Sequence, residues 1–263
     1  MELNVKGKVA LIAAGTKGLG FGIARELAAE GARVAVASRS QSNIDEAVES
    51  LRNQTGAEVS GYRLEMADNQ SIQRCIGQVA QQYGTIDMAV ANAGGPPPGT
   101  FDEIDDTEWE RGFHLTLMST VRFIREVLPL MRDKKSGSIL TITSSTVKEP
   151  LDYLLLSNVF RSGVTSLVKT LSGKLAAEGI RINNLMPGRF DTERVKQLDL
   201  SVAAQKDIGY AEQRYMVERS IPAKRYGTIE EFGRAAAFLL SDAASYITGA
   251  SLIVDGGSMH TVW

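Results

Sequence analysis

The stretch Val9-Ala-Leu-Ile-Ala-Ala-Gly15-Thr-Lys-Gly18-Leu-Gly20-Phe-Gly22 constrains this chain more than any other. A short apolar run of strand type stops at Gly15, and a helical pattern starts at about Gly18. Strand, glycine turn and helix N-terminus in that order aim backbone N–H groups and the positive end of a helix dipole at one place, where a phosphate fits. Glycine lets the backbone bend and lets a ligand come close. Taken alone, the pattern is as compatible with a plain strand-to-helix turn, so the rest of the chain has to decide.

Strand and helix patterns alternate along that remainder. Arg33–Ser38 reads as a second strand, followed by a helix at about 43–54, a strand near 58–64 and a helix at about 69–83. Asp87–Ala91 is a fourth strand, running into Asn92-Ala-Gly-Gly95. Thr107-Glu-Trp-Glu110 has the spacing of a capping box and opens a long helix to about Met131. A fifth strand covers Ser138–Thr143, and a helix at about 154–178 feeds a sixth at Arg181–Met186. Thr228-Ile-Glu-Glu231 is a second capping box, before a helix to about Leu240, and Ser251–Asp255 is a last short strand. Such alternation of apolar strands with helices predicts an α/β fold. Right-handed crossovers then give a Rossmann-type doubly wound parallel sheet of about seven strands, with helices on both faces.

No repeat or linker divides the chain, so residues 1–263 read as a single dinucleotide-binding domain. The polar, less regular stretch 190–220 reads as a helical insert over the sheet's edge, placed to cover a substrate. Ligands in such sheets bind beyond the carboxyl ends of the strands. That rule places Gly15–Gly20, Ser38–Arg39, Glu65, Asn92–Gly95, Ser144 and Pro187–Gly188 along one rim. Six strand ends meeting at one crevice argue for a ligand.

Composition excludes several alternatives. Net charge is −2 and no basic stripe occurs, which argues against nucleic acid as a partner. Cys75 is the one cysteine, and His114 and His260 have no metal-ligand spacing around them, so no metal is expected. No run of 18 apolar residues is present to span a membrane. The expectation is a soluble cytoplasmic protein.

The motifs together resemble the short-chain dehydrogenase/reductase family, over nearly the whole chain, and most closely its branch of 3-oxoacyl-acyl-carrier-protein reductases. The family's glycine turn falls on Ala13-Ala-Gly-Thr-Lys-Gly18-Leu-Gly20, with Ala14 in place of the first glycine. Its Asn-Asn-Ala-Gly falls on Ala91-Asn-Ala-Gly94, and its proline-glycine with a following threonine on Pro187, Gly188 and Thr192. The C-terminal runs Ile221-Pro-Ala-Lys-Arg-Tyr-Gly and Val254-Asp-Gly-Gly257 match as well. The resemblance implies a bound NAD or NADP. An acidic residue at the end of the second strand would select NAD, but Ser38 and Arg39 stand there and Lys17 lies in the turn. Two cations and no carboxylate imply NADP(H) in preference to NAD(H). The residues implied to line the cofactor are Gly15, Thr16, Lys17, Gly18, Leu19, Gly20, Ser38, Arg39, Glu65, Met66, Asn92, Ala93, Gly94, Arg161, Pro187, Gly188, Phe190 and Thr192. Members of the family commonly form tetramers through two long helices, which implies a homo-oligomer here, a tetramer or dimer.

The implied catalytic positions are largely substituted. Ser144 matches the family's serine. The tyrosine position falls on Ser157, the lysine on Arg161 and the asparagine on Thr116. Thirteen residues separate Ser144 from Ser157, which agrees with the family's spacing. Ser157 and Arg161 are four apart and share a helix face. Arg161 keeps a charge that can bind a ribose diol, but it holds its proton. A serine hydroxyl is a weaker acid than a phenol, whose pKa is about 10, and reaches less far. Losing a positioned acid costs roughly 10²–10⁴ in rate. Tyr153, four residues before Ser157, is either a substitute proton donor or a packing residue. Gly94-Gly-Pro-Pro-Pro-Gly99 either borders the substrate mouth or stiffens the connection to the next helix. Three readings follow. The first is an NADP(H)-dependent oxidoreductase acting on a carbonyl, an alcohol or a conjugated double bond of a small or acyl substrate, with altered proton transfer. The second is an impaired NADP-binding sensor or assembly subunit, and the third is a non-redox lyase using Ser144 and Arg161.

Overall fold

In the computed structural model, which describes residues 2–262, seven strands form one sheet in the order β3-β2-β1-β4-β5-β6-β7. They are β1 Val9–Ala13, β2 Arg33–Ser38, β3 Val59–Arg63, β4 Met88–Ala91, β5 Gly137–Ile142, β6 Ile180–Pro187 and β7 Ser251–Val254. Every neighbouring pair is parallel. The helices are α1 Gly18–Ala29, α2 Gln41–Thr55, α3 Asn69–Tyr83, α4 Asp106–Gly112, α5 Ser119–Lys134, α6 Leu155–Ala177, α7 Glu193–Gln205, α8 Tyr210–Ser220 and α9 Ile229–Leu240. This is the Rossmann-type doubly wound architecture that the alternation predicts. The winding reverses between β1 and β4, and a crevice opens there beyond the strand ends.

Residue alternation sorts the core into two layers. On β1, Val9, Leu11 and Ala13 face a cluster with Ile72, Val79, Phe123, Val127 and Met131 of α3 and α5. Ala10 and Ile12 face the other side, with Ile23 and Leu27 of α1 and Phe232 and Leu240 of α9. Strands buried on both faces need apolar residues at every position, which is why β1 reads as an unbroken run. Helices α1 and α9 approach closely at glycine: a Cβ on Gly233 would stand 2.4 Å from the Gly22 carbonyl oxygen, and one on Gly22 would stand 2.2 Å from that of Ile229.

Two expectations about helix starts have different outcomes. The capping box at Thr228 and Glu231 is formed, with both reciprocal bonds present. The one placed at Thr107–Glu110 is not: α4 begins at Asp106, and Asp105 is its N-cap, accepting from the Glu108 N–H at 2.9 Å. Aspartate two residues upstream is the better cap and takes the position first. The helix expected to run unbroken to Met131 carries a π turn over Phe113–Met118 and ends at Lys134. The stretch 190–220 is helical, as the insert reading has it, and folds as α7 and α8.

Candidate functional site

The glycine turn closes β1 and starts α1 with its donors free. Lys17 is the N-cap and has no side-chain acceptor to offer, and no acidic residue lies in the first turn. Helices α6 and α8 also lack a side-chain cap, whereas α2, α3, α4, α7 and α9 are each closed by a side-chain oxygen. The first N–H groups of α1 therefore point outward unsatisfied, as an anion site requires. Ala14 and Gly18, not Gly15, take the left-handed conformations of the turn, with φ 49 and 55. Gly15 is needed for room, since a Cβ there would lie 2.8 Å from the Ile12 carbonyl oxygen. Gly20 is tighter still, 2.2 Å from the Ala14 oxygen. Gly18 faces Thr192, whose Cγ2 lies 3.5 Å from where a Cβ would stand. The turn and the start of α7 thus bound one gap, and these residues fit a dinucleotide pyrophosphate. Thr16 is buried, Leu19 half-buried and Lys17 exposed.

At the end of β2, Arg39 lies 3.7 Å from Glu65 across the neighbouring strand, with both side chains well exposed. Such a pair is held weakly in water, so an incoming phosphate can compete for the guanidinium. Glu65 also accepts from the Ala67 N–H at 3.2 Å. Ser38 is half-buried at the strand's end and Met66 is buried beside Glu65. Asn92 and Ala93 are half-buried and Gly94 is exposed beyond β4. Pro187 ends β6, and Gly188 continues the ladder to the Val254 carbonyl at 2.9 Å. Phe190 departs from expectation. Its ring is buried in the core against Phe232, with centroids 5.1 Å apart, because Gly227 leaves the space it fills. Only its backbone can face a cofactor.

Of the catalytic candidates, Ser157 and Arg161 meet: Arg161 Nε donates to Ser157 Oγ at 3.2 Å. Arg161 Nη1 donates to the Ile142 carbonyl at 2.7 Å, which ties the guanidinium to the end of β5 beside Ser144. Burial pushes the Arg161 pKa down to about 10, with the nearby charge of Arg194 adding to the effect. Ser144 Oγ accepts from the Thr146 N–H at 3.2 Å and from Thr146 Oγ1 at 2.9 Å, so its own proton is free to donate. Thr116 sits inside the π turn, and its hydroxyl is buried without a partner. π turns often mark functional positions in helices. Tyr153 lies on the loop before α6, not on the helix, and its hydroxyl accepts from Arg189 Nη2 at 3.2 Å.

Sequence reasoning missed the polar wall that α7 supplies. Asp199 is fully buried and takes Arg189 at 2.9 Å and the Tyr226 hydroxyl at 2.6 Å. Arg194 donates to the Pro96 carbonyl at 3.1 Å, and the Gly99 N–H donates to the Tyr153 carbonyl at 2.8 Å. The proline loop is thereby pinned between α7 and the start of α6. The one available signal was charge, four basic residues between Arg189 and Lys206, and it does not say which of them face inward. Cys75 is buried, and burial raises its pKa to about 12, so it is inert. Among the described residues, no cluster of His, Cys, Asp and Glu is placed to hold a metal ion, and no helix is long and apolar enough to cross a membrane.

Comparison with known proteins agrees with this geometry. Residues 13–259 match the family described as enoyl-(acyl carrier protein) reductase. Dehydrogenase/reductase SDR family member 4 of Bos taurus is 32% identical over 253 residues, covering 96% of this chain and 87% of that protein. The crystal structure of L-sorbose reductase from Gluconobacter frateurii, complexed with NADPH and L-sorbose, superposes with a TM-score of 0.94 at 28% identity, covering 100% of both chains. YwfH, an NADPH-dependent reductase involved in bacilysin biosynthesis, gives a TM-score of 0.93 at 28% identity, covering 98% of this chain and 100% of its own. A seven-stranded parallel sheet, a bare helix N-terminus behind a glycine turn and a match over nearly the whole length leave one assignment: the chain belongs to the short-chain dehydrogenase/reductase family of oxidoreductases.

Proposed function

We propose that this protein is an NADP(H)-dependent oxidoreductase that acts on a carbonyl, an alcohol or a conjugated double bond of a small or acyl substrate. The observation that carries the reading is the uncapped N-terminus of α1 facing Thr192, with Lys17 and Arg39 on the same rim and no carboxylate at Ser38. In this reading the N–H groups of Thr16 to Gly20 hold the pyrophosphate. Lys17 and Arg39 take the 2′-phosphate, and Glu65 and Met66 border the adenine. Asn92, Ala93 and Gly94 line the ribose. Pro187, Gly188, the backbone of Phe190, and Thr192 close the nicotinamide end. NADPH, when bound, supplies the hydride. The NADPH complex of L-sorbose reductase and the NADPH-dependent YwfH support the choice of cofactor.

Ser144 donates its free proton to the substrate oxygen and polarises it. Arg161 spends two of its five N–H donors on Ser157 and Ile142, and the remaining ones reach ribose or substrate. The Ser157 hydroxyl is a weaker acid than a phenol, and Arg161 is engaged as a hydrogen-bond donor to Ser157 and Ile142, so in this reading proton transfer passes through another group or through water. Thr116, with its orphaned hydroxyl, is placed in the reading as a water holder. The Tyr153 hydroxyl oxygen accepts from Arg189. A Tyr153→Phe variant that turns over as fast as wild type removes it from consideration.

In this reading residues 190–220 cover the substrate, and the protein is a soluble, cytoplasmic homo-oligomer, with the exposed Phe113 and Val159 available to a contact between copies. A second reading, a cofactor-binding sensor or assembly subunit, is favoured by the loss of tyrosine and lysine at Ser157 and Arg161. Fluorescence titration with NADPH and NADH separates them. NADPH binding with turnover on a carbonyl and enoyl panel supports the first, and binding without turnover supports the second. Failure to bind either nucleotide defeats both.

A further inference from the structure

Arg161 and Arg194 reach one small space from different elements. Arg161, on α6, uses Nε for Ser157 and Nη1 for the Ile142 carbonyl, which leaves Nη2 without a partner. Arg194, the second residue of α7, contacts the Pro96 carbonyl through Nη2. A Cβ on Gly95 would stand 3.7 Å from Arg161 Nη2 and 3.6 Å from Arg194 Nη2. Gly95 has no side chain, so the space between the two guanidinium groups stays open.

No carboxylate answers these two charges. Two other arginines near Arg194 in the chain do have carboxylate partners, Arg189 with Asp199 and Arg214 with Asp191 and Glu218. Among the described residues neither Arg161 nor Arg194 forms an ion pair, although both are drawn out of water. Burial lowers the pKa of each, and for Arg161 the charge of Arg194 lowers it further. Two unpaired, partly desolvated like charges facing one gap oppose folding unless something negative enters it. Perturbed charges of that kind gather at functional sites. A guanidinium fork is also the side chain best matched to a planar oxyanion.

Position decides whose anion it is. Gly95 and Pro96 lie beyond β4, and Ile142 ends β5. Both are on the far side of β1 from Ser38 and Arg39, where the 2′-phosphate end is read. Arg194 stands two residues past Thr192, which borders the start of α1, so the cofactor's phosphates are the competing anion and have to be separated by experiment. We propose that Arg161 and Arg194 form a subsite for a carboxylate carried by the substrate, so that this protein acts on an anionic carbonyl or unsaturated compound in preference to a neutral one. The proposal rests on the oxidoreductase reading of this rim.

Isothermal titration of the full chain with benzoylformate and with its methyl ester, each with and without saturating NADPH, tests it. The expected result is at least tenfold tighter binding of the acid than of the ester, with NADPH leaving that preference in place. Arg194→Gln brings the acid-to-ester ratio below threefold, and Arg194→Lys, which keeps the charge, retains most of it. Comparing the two ligands on the same variant cancels any general loss of folded protein. Equal binding of acid and ester by wild type, an unchanged ratio in Arg194→Gln, or displacement of the acid by NADPH overturns the proposal. The last would put the anion in a phosphate site of the cofactor. If NADPH fails to bind, the oxidoreductase reading is lost, and the ratio measured on the cofactor-free chain still decides whether the anion subsite exists.

Discussion

Ala14 takes a backbone conformation with φ 49, where a Cβ crowds the following carbonyl and an L-residue loses about 1–2 kcal/mol. Replacing it by glycine relieves that strain, but frees the unfolded chain by about 0.4–1 kcal/mol in the other direction. Ala14→Gly is therefore expected to stabilise by about 0.5–1 kcal/mol, read as a higher urea midpoint with an unchanged slope. A lower midpoint would mean that the methyl packs better than its conformation costs. The turn as a whole is legible in the sequence, whereas the residue that bends is not. Gly15 looks like the hinge, yet it is there because Ile12 leaves no room for a Cβ. Ser157 and Arg161 are legible as a pair, because four residues on a helix bring two side chains together whatever else surrounds them. Arg194 is not legible. Nothing in a polar helix says which charge turns inward, and only the packing of α7 on the proline loop decides it.

At the scale of elements, helix ends carry the clearest sequence signals and the sharpest tests. Glu231 accepts from Arg225 and from the Thr228 N–H, and these contacts hold its carboxyl down to about 2 from an ordinary 4.5. A carboxyl more acidic in the folded state stabilises above its unfolded pKa and loses that contribution as pH falls. The unfolded chain takes up the proton first, so the contribution drains away between about pH 4.5 and about pH 2. Glu231→Gln is expected to flatten that part of the stability profile and to leave the profile above pH 6 parallel to wild type, as thermal unfolding across pH would show. The cap at Asp105 shows how such signals fail, since two acceptors compete and the earlier one starts the helix. The π turn at Phe113–Met118 is invisible in the periodicity, because one widened turn shifts the apolar stripe by less than a residue. The contact of α1 with α9 is set by Gly22 and Gly233, each nearly touching the other helix's backbone. Backbone cannot retreat as a side chain can, so Gly233→Ala forces the helices apart. The expected cost is about 1–3 kcal/mol in equilibrium unfolding, and an unchanged midpoint would show that the pair can slide.

The whole molecule is legible where burial is symmetric and obscure where function is. Strands covered on both faces must be apolar throughout, and glycine must stand where backbone meets backbone, so β1, β2 and β4 announce themselves. Strand β6 is the exception, with Asn183 and Asn184 buried in its middle. Asn184 accepts from Thr141 and Thr143 at 2.9 Å each, and Asn183 reaches the Ile247 carbonyl at 2.9 Å. A polar tie there fixes β5, β6 and the last strand to one another beneath the rim of the crevice, and only the tertiary structure explains it. The crevice divides the sheet into β3-β2-β1 and β4-β5-β6-β7, and a dinucleotide laid across it touches both halves. A ligand that binds only the assembled halves stabilises the native state by about 2.7 kcal/mol at a hundred times its dissociation constant. For a chain of this size each kcal/mol moves the unfolding midpoint by about 2–4 °C. NADPH at that excess is therefore expected to raise Tm by about 5–10 °C. If Lys17 and Arg39 take the 2′-phosphate, NADH at the same concentration gives a clearly smaller rise, and Lys17→Ala with Arg39→Ala brings the two nucleotides level. An equal rise with both nucleotides in the unaltered chain would remove those two cations from the cofactor site and leave the glycine turn to act alone.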